Sequence, residues 1–253
     1  MNDPFLSRVE DAGLNASAPP EQRWLDGWLL RFSPGKAKRA RCVNAVADGR
    51  LSLDERLAAA EAAYAEARLP MIVRITPFTR PEGLDEILAG RGWRRFDDTR
   101  VMVRRDLPPP SPLLKTLKPQ AASVAEYAEI VGALRGSPAP QREAHARRML
   151  SAPVPYQGFV VRDGEVVLAC GQFVREGELV GLYDVYTAIP ARGQGIARML
   201  CAWLLDRAVE QGARHAYLQV EGDNAEARAV YHRLGFADAY AYHYRTTAPE
   251  DAV

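Results

Sequence analysis

Residues 184–200 constrain the fold of this chain more than any other stretch. They run from Asp184-Val-Tyr-Thr-Ala-Ile-Pro190 through Ala-Arg192-Gly-Gln-Gly195 to Ile-Ala-Arg198-Met-Leu200. An apolar strand passes a proline and two glycines and enters an amphipathic helix. A glycine-lined helix start presents unpaired backbone N–H groups and the positive end of the helix dipole, and the two together bind phosphate. Bulky side chains there would hold a pyrophosphate away from those amides. Other phosphate loops fit worse. A Walker-type loop needs Gly-Lys-Ser/Thr after four spacers, and the chain has no such run. The dinucleotide fingerprint needs a third small residue where Arg198 stands. On the loop alone, a ligand-free strand-to-helix turn is the plain alternative.

The 253 residues suffice for one large domain or two ordinary ones. With 47% apolar and 26% charged residues, the composition is that of a soluble globular protein. A formal net charge of +1 gives no global attraction to nucleic acid or to an anionic membrane, so neither is expected as a partner. The three cysteines, Cys42, Cys170 and Cys201, are far apart and form no CxxC pair. That predicts reduced thiols in a cytoplasmic protein. The first ten residues lack a signal-peptide pattern, and no apolar run approaches the roughly 18 residues that span a bilayer.

Hydrophobic periodicity divides the chain in two. In the first half it predicts helices at 3–16, 53–67 and 83–90, and strands at 24–32, 41–47, 71–75 and 93–104. Ser52 and Glu55 form a capping-box pattern at the second of these helices. Residues 106–112, Asp-Leu-Pro-Pro-Pro-Ser-Pro, break both helix and sheet. They predict a stiff linker, placed at 108–112, between a domain at 1–107 and a second at 113–253. In the second half, helices are expected at 123–134 and 141–150, three strands within 156–187, a helix from the glycine loop to 211, a strand at 215–221, a helix at 224–234 and a last strand at 236–245. That alternation implies a mixed α/β fold with a largely antiparallel sheet and late crossover helices. A short echo links the halves. Leu88-Ala-Gly-Arg-Gly92-Trp93 before Val101-Met-Val-Arg104 parallels Tyr231-His-Arg-Leu-Gly235-Phe236 before Tyr242-His-Tyr-Arg245.

A second motif follows the loop by about 25 residues: Asn224-x-x-Ala227-x-x-x-Tyr231-x-x-x-Gly235-Phe236. Asn224 is placed to cap a helix. Tyr231 lies about two turns on, projecting from the same side. Together with Arg192-x-x-Gly195-x-Ala197, this resembles the GNAT superfamily of N-acetyltransferases. The resemblance covers roughly residues 113–247 and implies the GNAT acyl-CoA N-acyltransferase fold. The first half looks like an incomplete GNAT copy without a glycine loop, so two GNAT-like domains in tandem are expected.

The resemblance implies acetyl-CoA as cofactor. Its pyrophosphate would lie on Arg192, Gly193, Gln194, Gly195, Ile196, Ala197 and Arg198. Its pantetheine arm would pair with Val185, Tyr186 and Thr187 in the manner of an added strand, with an amide of that strand aimed at the oxyanion. Asn224, Ala227 and Tyr231 would close over the arm, and the Tyr231 phenol would protonate the departing thiolate. The attacking amine must be neutral, so a base is required. Asp184 and Glu221 end neighbouring strands and are the two candidates, with His145 and His215 weaker. Either carboxylate alone is as readily a solvated strand end. The basic run at 35–41 reads as a solvated hairpin end, with an anion site as the alternative. Four histidines and three scattered cysteines predict no metal site.

These readings converge on an acetyl-CoA-dependent N-acetyltransferase. It would act as a monomer or homodimer on a small-molecule or peptide amine by direct attack in a ternary complex. The alternative is a non-catalytic acyl-CoA-binding sensor.

Overall fold

In the computed structural model, which describes residues 3–110 and 118–250, the strands of both halves join in one sheet. The elements are α1 (Pro4–Ala16), β1 (Glu21–Leu25), β2 (Trp28–Phe32), β3 (Val43–Ala45), α2 (Leu53–Glu66), β4 (Val73–Ile75), α3 (Leu84–Gly90) and β5 (Arg94–Arg104). After the Pro-rich stretch come β6 (Gln120–Ala122), α4 (Val124–Leu134), α5 (Ala139–Ser151), β7 (Tyr156–Asp163), β8 (Val166–Glu176), β9 (Leu179–Thr187), α6 (Ile196–Glu210), β10 (His215–Glu221), α7 (Ala225–Arg233) and β11 (Ala237–Thr246). Of the expected linker, residues 111–112 lie outside the described residues.

The strand order is β1-β2-β3-β4-β11-β5-β10-β9-β8-β7-β6. It is nearly symmetric about the β11–β5 pair. β3 and β4 run parallel with α2 between them, and β9 and β10 run parallel with α6 between them. Each half then lends its last strand to the other. β5 pairs with β10, and β11 pairs with β4. The sequence echo is the start of that exchange. Phe236 N–H bonds to the Tyr231 carbonyl and Trp93 N–H to the Leu88 carbonyl, both at 3.0 Å. Gly92 (φ +81°) and Gly235 (φ +82°) supply the left-handed residue that turns each helix into its strand.

Two layers of helix cover the sheet. On one face α1, α4 and α5 pack over Val101, Val160, Val174, Tyr217 and Tyr242. On the other, α6 buries Leu200, Leu204 and Ala208 against Phe173, Leu182 and Leu218, while α2 and α3 bury Leu57, Tyr64 and Leu88 against Leu30, Val43 and Val73. β5 is central to both layers: Val101 and Met102 point to opposite faces, and both are wholly buried.

Two sequence expectations need correction. The aromatic run at 24–32 is not one strand, because Asp26 (φ +42°) and Gly27 (φ +87°) form a tight hairpin between β1 and β2. The basic run at 35–41 does end the β2–β3 hairpin, but it is not solvated throughout: Lys38, Arg39 and Arg41 are half-buried and Ala40 is buried. Lys38–Ala40 form a single 3-10 turn that folds back over the sheet before β3.

Candidate active site

The parallel pairing of β9 and β10 stops at Leu182↔Leu218. Beyond it β9 keeps only β8, and β10 keeps only β5. The two strands part like a fork. Burial follows the geometry: residues 179–183 are buried, and 184–187 are half-buried. Val185, Tyr186 and Thr187 lie on the open edge, where one row of backbone groups has no strand to pair with.

A bulge deforms β9 at the fork. Cys170 faces Tyr186 and Gln172 faces Tyr183, so Asp184 and Val185 together oppose Gly171. Asp184 takes a left-handed conformation, φ +48°. A side chain at Gly171 would stand 2.9 Å from Leu204 Cδ1 on α6, so this position must stay small for the helix to seat on the bulge. Four groups fix Asp184. Arg135 Nη1 donates to Oδ1 at 2.8 Å and Gln172 Nε2 to Oδ2 at 2.7 Å; His145 Nε2 lies 3.0 Å from Oδ2. The buried Tyr127 hydroxyl donates to its carbonyl at 2.9 Å. Burial pushes the Asp184 carboxyl up, but the His145 hydrogen bond and the Arg135 charge outweigh it, holding it well below the usual carboxylate range. A carboxylate so held is a poor proton acceptor at neutral pH. Its geometry is that of a clamp joining α4, α5 and β8 to the bulge.

Glu221 ends β10 on the other prong. It is exposed and has no ion pair or side-chain hydrogen bond among the described residues. It shares a strand face with Gln219 and Tyr217, toward the α1 side of the fork. Of the two expected candidates for the base, it alone has a free carboxylate. His215 is remote, stacked edge-on against Phe5.

The loop between β9 and α6 begins with a 3-10 turn, Ile189–Ala191. Arg192 then reaches back, its Nε donating to the Thr187 carbonyl and its Nη2 to the Tyr186 hydroxyl, both at 3.3 Å. Gly193 and Gly195 both have φ +76°, and a Cβ on either would meet nothing within 4 Å. The glycines are therefore demanded by backbone conformation, and the space above them is open. The first backbone bond of α6 runs from Met199 N–H to the Gly195 carbonyl at 3.1 Å. The helix start has no side-chain cap and no acid in its first turn. Its leading amides are left for a ligand.

The matching helix start in the first half is closed. Ser52 Oγ accepts from Glu55 N–H, and the Glu55 carboxylate accepts from Ser52 N–H at 2.8 Å. Asp26 takes the amides of Arg50 and Leu51 at 3.0 and 2.8 Å. Asp54 and Glu55 add negative charge to the first turn of α2. An incoming phosphate would find these amides occupied and the charge repulsive.

α7 stands beside the α6 loop. Asn224 Oδ1 accepts from Ala227 N–H at 3.0 Å, capping the helix. Ala227, Tyr231, Val185 and Met199 all pack against the cluster that contains Ile196 and Val220. Tyr231 sits edge-on to Phe236, and its hydroxyl has no partner among the described residues. Burial pushes this phenol up, so it stays protonated across the neutral range. Tyr231 thus belongs to the α6 face of the sheet and Asp184 to the α4–α5 face, with the fork as the passage between them.

Sequence reasoning gave Arg39 no weight of its own. It stands at the apex of the fork, where its Nη1 donates to Gln219 Oε1 and, at 3.3 Å, to the Tyr242 hydroxyl. The only signal was its place in the basic run. Among the described residues, no group of His, Cys, Asp and Glu could hold a metal ion, and no helix is long and apolar enough to cross a membrane.

Comparison with known proteins agrees with this geometry. A family model described as "Probable histone acetyltransferase Rv0428c C-terminal" matches residues 6–245. The uncharacterized N-acetyltransferase YobR of Bacillus subtilis is 26% identical over 236 residues, covering 88% of this chain and 91% of that protein. A GCN5-related N-acetyltransferase from Kribbella flavida superposes with a TM-score of 0.67 at 18% identity, over 97% of this chain and 95% of its own. A tandem GNAT protein of the clavulanic acid biosynthesis pathway gives 0.61 at 17%, over 78% and 70%. With its forked mixed sheet, its glycine helix start and a family match over nearly its whole length, the chain belongs to the GNAT N-acetyltransferases, in the family of the probable histone acetyltransferase Rv0428c C-terminal region.

Proposed function

We propose that this protein transfers an acetyl group from acetyl-CoA to the primary amine of a small-molecule or peptide acceptor, by direct attack in a ternary complex. The observation that carries the proposal is the juxtaposition of the β9–β10 fork with the uncapped glycine start of α6. The residues present suit CoA. The open space over Gly193 and Gly195 admits a pyrophosphate, and the backbone edge at Val185–Tyr186–Thr187 offers a strand's hydrogen bonds to the pantetheine amides. When bound, acetyl-CoA supplies the acetyl group as an activated thioester.

The chain's own residues then have separate tasks. The amides of Gly193, Gln194, Gly195, Ile196, Ala197 and Arg198 hold the pyrophosphate with the dipole of α6 behind them. Asn224 and Ala227 set the start of α7 beside the arm. The β9 edge directs an amide at the developing oxyanion. Glu221 takes the proton from the amine, directly or through water. Tyr231 gives its phenolic proton to the leaving thiolate. Asp184 positions rather than reacts: by fixing the bulge it fixes where the amides of Val185 and Tyr186 point. Residues 113–253 carry these groups, while residues 1–107 wall the acceptor side of the fork. The test is amine-dependent release of free thiol from acetyl-CoA by the full-length chain across a panel of amines. Acetyl-CoA binding with no thiol release on any amine would contradict a transferase.

A further inference from the structure

Arg39 is a cation with no anion paired to it among the described residues. It projects from the 3-10 turn between β2 and β3 in the first half and crosses to the fork of the second half. Its contacts, Tyr183 and Gln219, are the first residues past the Leu182↔Leu218 pair on each prong. Phenols surround it: Tyr242 accepts its hydrogen bond, and the Tyr183 ring lies 6.0 Å beneath the guanidinium. Three carboxylates of the first half are paired elsewhere. Glu10 pairs with Arg74 and also accepts from Tyr240; Asp97 pairs with Lys38 at 2.8 Å and Asp98 with Arg100 at 2.7 Å. Arg39 itself has no ion pair among the described residues. Its position is held from behind by Arg31, whose Nη1 donates to the Arg39 carbonyl at 3.5 Å and to Ser17 Oγ at 3.1 Å, while its Nε and Nη2 bond Gln22 and the Leu14 carbonyl.

Which edge of the guanidinium is used matters. Gln219 and Tyr242 both bind Nη1. Nε and Nη2, the side-on pair, have no hydrogen-bond partner among the described residues. Those two parallel N–H groups match the two oxygens of a carboxylate. On the same strand, two residues past Gln219, stands Glu221 with its free carboxylate. Two residues of strand separate these positions by about 6.6 Å, so the acceptor side of the fork presents one unpaired cation near one unpaired anion.

We infer that the acceptor is an amino carboxylate, an amino acid or a close relative, whose carboxylate is bound side-on by Arg39 while its amine faces Glu221. This deepens the acetyltransferase reading and rests on it. A hydrophobic or purely cationic amine would leave the Arg39 charge uncompensated in a pocket of phenols. Arg39 is a specificity residue here and takes no part in the proton transfers.

The test compares matched acceptors on the full-length protein: the common free amino acids, their α-carboxamides, spermidine, and a lysine-bearing histone peptide. Thiol release from acetyl-CoA is the readout. At least one free amino acid should exceed its own carboxamide in kcat/KM by about 10²-fold, the scale of losing one partner of a desolvated charge pair. Arg39→Gln should erase that preference through KM while leaving acetyl-CoA affinity unchanged. Arg39→Lys, which keeps the charge but not the two-pronged edge, should restore part of it. The comparison of acid with amide uses the wild-type chain, so it stands even where a variant fails to fold. Carboxamides, spermidine or the histone peptide turned over as well as the acids would overturn the carboxylate anchor and leave the acetyltransferase intact. No thiol release on any acceptor would overturn both.

Discussion

Replacing Gly195 separates two contributions of the α6 loop. The residue sits at φ +76°, and a Cβ there meets no atom within 4 Å. Gly195→Ala therefore costs conformational strain only, about 1–2 kcal/mol for an L-residue in the left-handed region. For a chain of this size that lowers Tm by roughly 2–8 °C. Gly195→Asp carries a similar strain and adds a carboxylate at the helix start. Two unit charges about 5 Å apart at an effective dielectric near 40 repel by roughly 1.5 kcal/mol. Against the two charges of a pyrophosphate the penalty is about 3 kcal/mol, or ~10²-fold in affinity. Calorimetric titration with acetyl-CoA and thermal melts of both variants provide the assay. Similar melting shifts with a much larger affinity loss for Asp, shrinking as salt rises, are expected. An Asp variant that is folded and binds acetyl-CoA within threefold of wild type would refute the loop's role.

Three further outcomes follow from the same geometry. Tyr231→Phe keeps the packing against Phe236 and removes the proton donor, so kcat should fall by roughly 10²-fold or more with little change in KM for acetyl-CoA, where chemistry limits turnover; full turnover across the pH range would leave Tyr231 a packing residue. Asp184→Asn leaves Arg135 without its anion and, because that pair is partly exposed, should destabilise the fold at pH 7 by about 1–3 kcal/mol. Because folding depresses the Asp184 pKa, the carboxylate's contribution is fully present above the ordinary value of 3.8 and is lost as pH falls through the lower folded value. The gap between wild type and variant in urea melts should therefore be constant at neutral pH and close only below about pH 4; a gap that already closes at neutral pH would contradict this. A fragment of residues 113–253 should lack a cooperative melt, because β10 and β11 would each lose β5, with Val101 and Met102 gone from the two core layers; a sharp melt and native near-ultraviolet circular dichroism would contradict this.

Local features of the fold were legible because their causes are local. The Ser52–Glu55 capping box and the glycine helix start each follow from a few adjacent residues, and each stands where the sequence places it. Asp26-Gly27 carried a hairpin signal, but the apolar residues on both sides masked it. The strand exchange was not legible. The Gly92–Trp93 and Gly235–Phe236 echo marks equivalent strands but is silent on which neighbour each will pair with, since non-local pairing is decided by the whole sheet. The same limit applies at the site. Asp184 read as a free strand-end acid because its partners come from α4, α5 and β8, far away in sequence. Arg39 read as one cation in a solvated run because Gln219 and Tyr242 lie about 180 and 200 residues on.

Hydrogen–deuterium exchange of the full-length protein with and without acetyl-CoA tests the central claim most directly, since it reports which backbone amides the ligand takes. Acetyl-CoA should slow exchange at residues 193–198, where α6 begins, and at 183–187, on the open edge of β9. It should leave residues 50–55 unchanged, because Asp26, Ser52 and Glu55 already occupy that helix start. Calorimetry on the same sample should give one acetyl-CoA per chain. Protection at 50–55, a second equivalent site, or tight binding with no protection at 193–198 would contradict the assignment of the fork and the α6 loop as the acyl-CoA site.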